Sequence, residues 1–111
     1  MTETPLCRLD DLGEVGSKAT TAIIDGRETA LMIIGQGEAV RAYVNSCPHI
    51  GSPLDFTPGV FLNLEKTHIQ CATHGALFAI EDGLCIKGPC VDAHLDPVAT
   101  EIRDGAVFLK P

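Results

Sequence analysis

The chain has 111 residues, of which fifteen are acidic and eight basic, and carries a formal charge of −7. That length suits one domain and not two, and a domain so small gains from an internal staple such as a metal centre. No basic cluster is present, which excludes nucleic acid and anionic membrane as expected partners and favours proteins with a basic patch.

Residues 1–5 are polar and acidic, with neither the basic start nor the apolar run of a signal peptide, and no twin-arginine signal follows. No stretch has the length needed to span a bilayer. A cytoplasmic protein is expected, and in that reducing compartment five cysteines read as ligands and buried thiols, not as a disulfide framework.

Residues 9–15 have room for a helical turn. Residues 20–24 form a β-branched run that meets Asp25-Gly26, a hairpin signal, and residues 28–34 return as its partner. Residues 40–44 make a short third strand leading into a loop with Cys47, Pro48 and His49. A proline-containing stretch, residues 52–65, reads as a surface excursion, with a further helical turn allowed over 56–64. Residues 67–70 alternate and deliver Cys71, with His74 three residues on. Residues 77–80 turn at Asp82-Gly83 into residues 84–86. Residues 98–103 and Ala106–Leu109 flank Asp104-Gly105, another hairpin. Short strands with regular turns predict an all-β sandwich or barrel, and there are no repeats, linkers or low-complexity tracts.

The chemistry is concentrated in Cys47, His49, Cys71 and His74. Each of two loops offers one thiolate and one imidazole, and glycine follows closely in both, at Gly51 and Gly75. Tetrahedral zinc accepts two cysteines and two histidines. So does a 2Fe–2S cluster in which two histidines replace two cysteines on one iron. The spacing favours the second, because zinc fingers commonly group like ligands, whereas here two facing loops can give both cysteines to one iron and both histidines to the other.

On these residues, a C-x-H followed by C-x-x-H, the chain resembles the Rieske iron–sulfur proteins. Gly51 and Gly75 match the family's loop glycines, and Gly88-Pro89 falls where its third, proline-bearing loop covers the cluster. The resemblance implies an antiparallel Rieske fold, with a β-sandwich base and a small cluster-binding subdomain over about residues 45–92, in a single domain of residues 1–111. It implies one [2Fe-2S] cluster, with Cys47 and Cys71 on one iron and His49 and His74 on the other, near the surface. Neutral imidazoles bring the oxidised cluster to a charge of about zero, against about −2 for four thiolates, and so raise its potential.

Departures from the family carry information as well. Ser52 and Thr73 stand where high-potential members place a disulfide-forming cysteine pair. Ala76 and Phe78 stand where those members place a serine and a tyrosine that donate to cluster sulfurs. Lost donors leave the reduced cluster less stabilised, which predicts a potential near the low end of the Rieske range, roughly −150 mV. The pattern is similar to the soluble ferredoxins of bacterial oxygenases, although the span from His49 to Cys71 is longer than in compact members.

That resemblance implies an electron carrier, not an enzyme, between a flavoprotein reductase and a terminal oxygenase, with no small-molecule substrate of its own. Oxygenase α-subunits add a mononuclear iron domain, for which these 111 residues leave no room. A small subunit of a redox complex such as assimilatory nitrite reductase, and a zinc-bound interaction module, are the alternatives. Cys85 and Cys90 flank the Gly88-Pro89 loop and read as buried small residues more readily than as ligands or a disulfide. Cys7 reads as a packing residue, and His68 and His94 as solvated or hydrogen-bonded histidines. Asp10-Asp11 and Glu81-Asp82 read as solvated faces and turns.

Overall fold

The computed structural model describes residues 5–13, 16–36, 39–46, 54, 61–63, 65–71, 75–88 and 91–110. Among these, nine strands and one short 3-10 turn form three antiparallel sheets. The strands are β1 (Cys7–Arg8), β2 (Ser17–Ile24), β3 (Arg27–Gln36), β4 (Ala39–Val44), β5 (His68–Gln70), β6 (Leu77–Ala79), β7 (Cys85–Lys87), β8 (Thr100–Arg103) and β9 (Ala106–Leu109). The sheet orders are β1-β9-β8, β2-β3-β4 and β5-β6-β7. The fold is all-β, as the alternating runs predict. No helix among the described residues is long and apolar enough to cross a membrane.

Two hairpins are set by Asp-Gly turns. Asp25 and Gly26 have φ of 52° and 78°, and Asp104 and Gly105 have 51° and 75°. Two successive left-handed residues give the turn whose twist matches the flanking strands, and aspartate followed by glycine tolerates it best. The helical turn expected within residues 9–15 is a 3-10 turn at Leu9–Leu12, where the Arg8 amide donates to Asp11 Oδ2 at 2.9 Å. Asp11 is therefore a capping residue as well as part of a solvated face.

Strand β3 is buried along both faces. Leu31, Met32, Ile33 and Ile34 are each 0% exposed. Period-two alternation sends Met32 and Ile34 to one core and Ile33 to another. The first core joins β3 and β4 to the β5-β6-β7 sheet and contains Tyr43, Leu54, Phe61, Ile69, Phe78 and Leu95. The second joins the same central sheet to β1 and β9 through Cys7, Leu12, Ala42 and Val107. Sheets built from both chain ends thus form the base on which the small sheet sits.

One segment stitches the small sheet to that base. The Cys85 amide donates to the Ala93 carbonyl and the Leu95 amide to Gly83, and Leu84 bridges to His94. Immediately afterwards Tyr43 bridges to Pro97, the Val44 amide donates to Asp96 and the Val98 amide to Ala42. This explains why β8 begins at Thr100 and not at the expected residue 98. Val98 is engaged with β4 before the chain crosses to the terminal sheet.

The stretch 52–65 requires a correction. Its described residues include Leu54 and Phe61, both 0% exposed and both in the cluster-side core. Two large apolar side chains have more to gain from burial than from a surface path. The Phe61 amide donates to Ser17 Oγ at 3.2 Å, its carbonyl accepts from the Gln70 amide, and Leu62 bridges to Ile69. Where described, residues 61–63 are extended alongside β5; the rest of the helical turn expected over 56–64 lies outside the described residues.

Candidate metal centre

The second ligand loop grows directly out of the β5–β6 hairpin. β5 ends at Gln70, and Cys71 follows, fully buried. The Cys71 amide donates to the Ala76 carbonyl at 2.9 Å, and its own carbonyl accepts from the Gly75 amide at 2.8 Å. Among the described residues, backbone bonds therefore close the loop. Gly75 has φ of +69° and is exposed, and a Cβ built on it meets no described atom within 4 Å. A left-handed residue with open space beside it is where glycine leaves the backbone accessible.

The third loop packs on this one. Gly88 has φ of +109°, and a Cβ there would lie 2.8 Å from Ala76 Cα and 2.9 Å from Ala76 Cβ. Only glycine permits so close an approach. On β7, Leu77 pairs with Lys87 and Phe78 with Cys85, which leaves Ile86 as an extra residue, a bulge that bends the strand toward Gly88. Beyond the loop, the Asp92 amide returns to the Cys85 carbonyl at 3.1 Å. Ala76 and Phe78 are both 0% exposed, and neither side chain has a hydrogen to donate.

The first ligand loop leaves β4 at Asn45, whose amide donates to the Ala30 carbonyl at 2.9 Å. Asn45 Oδ1 accepts the Leu54 amide at 2.8 Å, which closes the intervening span from the far side. Sequence reasoning missed Asn45 and Leu54. A polar residue two positions before Cys47 and a leucine beyond Gly51 give no sign that they meet.

Of the expected site residues, the structure places Cys71, Gly75, Ala76, Phe78 and Gly88 together around the β5–β6 loop. Cys47, His49, Gly51, His74, Pro89 and Cys90, with Ser52 and Thr73, lie outside the described residues. Cys85 is buried, and its Sγ donates to the Lys87 carbonyl at 3.4 Å, in keeping with a packing role. Cys7 is a buried free thiol, paired with Val107 across β1 and β9. Thr67 Oγ1 and His68 Nδ1 lie 2.9 Å apart beside the Asn63 carboxamide, so His68 is hydrogen-bonded, while His94 is exposed. Asp82 Oδ1 accepts the Leu84 amide at 3.0 Å, making the turn after β6.

A buried cysteine on a backbone-closed loop, an accessible left-handed glycine beside it and a glycine loop seated against its base fit an iron–sulfur cluster. A thiolate at Cys71 could bind one iron, and the missing Cβ at Gly75 leaves room for a cluster beside the loop. When bound, such a cluster supplies one-electron exchange without bond making in the protein.

Comparison with known proteins agrees with this geometry. The Rieske [2Fe-2S] domain family matches residues 2–103. The ferredoxin of carbazole 1,9a-dioxygenase from Nocardioides aromaticivorans IC177 is 25% identical, with a TM-score of 0.74 over 100% of this chain and 99% of its own. The Sphingomonas yanoikuyae B1 ferredoxin is 22% identical, with a TM-score of 0.75 and 99% of each chain covered. A chain in the complex of reduced oxygenase and oxidized ferredoxin of carbazole 1,9a-dioxygenase is 20% identical, with a TM-score of 0.72 over 96% of this chain and 100% of that one. No curated protein matches. With the buried Cys71, the glycines of the second and third loops and a family match over nearly the whole sequence, the chain belongs to the Rieske [2Fe-2S] domain family, and its cofactor is a [2Fe-2S] cluster.

Proposed function

We propose that this protein is a cytoplasmic one-electron carrier. It takes an electron from a reductase, a flavoprotein using NAD(P)H, and delivers it to a terminal oxygenase acting on an aromatic or related hydrophobic compound. Cys47 and Cys71 hold one iron and His49 and His74 the other. The observation that carries the reading is the family match over residues 2–103, joined to mutual coverage of 100% and 99% with the carbazole dioxygenase ferredoxin. The charge of −7 suits encounter with basic docking faces. The exposed Gly75, next to His74, supports an exit for the electron at the loop surface.

The test pairs voltammetry across a wide pH range with a reconstituted oxygenase assay. A reversible one-electron wave near the low end of the Rieske range, about −150 mV, falling at alkaline pH, is expected. The pH dependence follows because an ionisable imidazole ligand couples electron uptake to a proton. Added protein is expected to restore turnover to a reductase–oxygenase pair. A potential well above zero overturns the low-potential assignment. Stable co-purification with a larger chain, without shuttling by the free protein, favours an obligate subunit of an enzyme complex instead.

A further inference from the structure

Among the described residues, the two loops are closed by different kinds of bond. The second is closed by main-chain bonds from the Cys71 and Gly75 amides, whose donors every residue but proline retains. The span from residue 46 to 53 is closed by a side chain, through the bond from the Leu54 amide to Asn45 Oδ1. Both ends of that bond are fixed. The Asn45 backbone continues the β3–β4 ladder one step past Leu31 and Val44 by donating to Ala30. The Leu54 side chain is fully buried in the same core as Cys71 and Ala76.

We infer that Asn45 is a positioning residue for the first ligand loop: by holding the Leu54 amide, its Oδ1 sets the separation of the ends of the span that carries Cys47 and His49. The inference rests on the ligand assignment proposed above. A ligand loop must present its thiolate and imidazole against those of the facing loop, and groups that orient ligands govern how tightly a metal centre is kept. Without the Asn45 acceptor, the part-buried Leu54 amide loses this partner and one tie between the ends of the span is removed.

The experiment compares holoprotein of the wild type, N45A, N45D and V107A. Two quantities are read: the rate at which an iron chelator bleaches the visible band, and the electron paramagnetic resonance spectrum of the reduced protein. N45A is expected to bleach about tenfold faster, equivalent to about 1.4 kcal/mol, with a shifted or broadened spectrum. N45D keeps an acceptor oxygen and is expected to bleach within about twofold of wild type. V107A opens a cavity in the other core, where Val107 is buried. It is expected to unfold more easily with an unchanged spectrum, which separates positioning from general stability. If N45A does not accumulate folded, N45S carries the same comparison, and is expected to bleach faster than N45D.

An N45A protein with wild-type bleaching and spectrum overturns the inference, as does N45D bleaching as fast as N45A. A wild-type protein that binds no cluster overturns the ligand assignment itself, an outcome distinct from the other two.

Discussion

The Tyr43 hydroxyl donates a 2.6 Å hydrogen bond to the Ile80 carbonyl, joining β4 of the base to the turn that follows β6 of the small sheet. The same ring fills the space beside Gly83, where a Cβ would lie 2.9 Å from Tyr43 Cε1. One phenol thus ties the small sheet to its support through both a polar and a packing contact. Y43F removes the donor and leaves a buried carbonyl unpaired, at an expected cost of about 1–3 kcal/mol. Denaturant titration of the holoprotein checks this, and an unchanged midpoint argues that the Ile80 carbonyl has another partner.

Alkaline pH is expected to weaken the fold in two steps. Burial, reinforced by Asp11 and opposed by Lys18, pushes the Cys7 thiol above its ordinary 9.0. Burial, opposed by Arg41 and reinforced by Asp82 and Glu81, pushes the Tyr43 phenol above its ordinary 10.0. In both, the folded state keeps its proton after the unfolded chain has released it. The stabilisation is complete below the unfolded-state value and is lost as pH rises through the folded-state value. Denaturation midpoints between pH 8 and 11 are expected to fall in wild type. C7A is expected to flatten the first step and Y43F the second, and parallel curves for all three proteins exclude these groups as the cause.

Gly88 is expected to be among the least replaceable residues. An added methyl collides with Ala76 at 2.8 Å, and φ of +109° is itself unfavourable for any residue with a Cβ. Overpacking of this kind costs about 1–3 kcal/mol. Gly26 is the control: it also has positive φ, at +78°, yet a Cβ there meets nothing within 4 Å. G26A is expected to show the backbone cost alone, about 1–2 kcal/mol, with cluster content intact, whereas G88A loses both stability and cluster. Equal behaviour of the two variants counts against packing of the third loop on the second.

Cys71 and Cys85 are both buried in one core, and burial alone does not distinguish a ligand from a packing thiol. Their loops do. C71S is expected to abolish the visible spectrum and the bound iron. C85A is expected to retain both, with a modest loss of stability from the small cavity, about 1 kcal/mol. Iron and sulfide analysis of the two proteins checks the assignment, and retention of full iron by C71S removes Cys71 from the site.

Much of this arrangement was legible in the amino-acid order, and the exceptions have physical causes. Asp25-Gly26 and Asp104-Gly105 announce hairpins because only a few residue types tolerate two successive left-handed conformations. Ala106–Leu109 and the ladder of β5 and β6 follow from alternation. Strand β1, two residues long, has no periodicity to detect and exists because β9 offers it a partner. Leu54 and Phe61 lie in a proline-containing stretch that reads as surface, yet the core between two sheets draws them in. Asn45 was invisible for another reason: its role depends on meeting Leu54 across nine positions, a property of the closed chain and not of any local pattern.

The pairing of Cys7 with Val107 has a consequence for synthesis on the ribosome. The chain emerges N-terminus first, so β1 waits unpartnered while nearly everything else is made. The β5-β6-β7 sheet, by contrast, has all its strands once Lys87 has emerged. The strands on either side of Cys71 are thus all made before β8 and β9 complete the final sheet. Closure of β1 against β9 is among the last pairings the emerging chain can make, and it joins the first strand to the last.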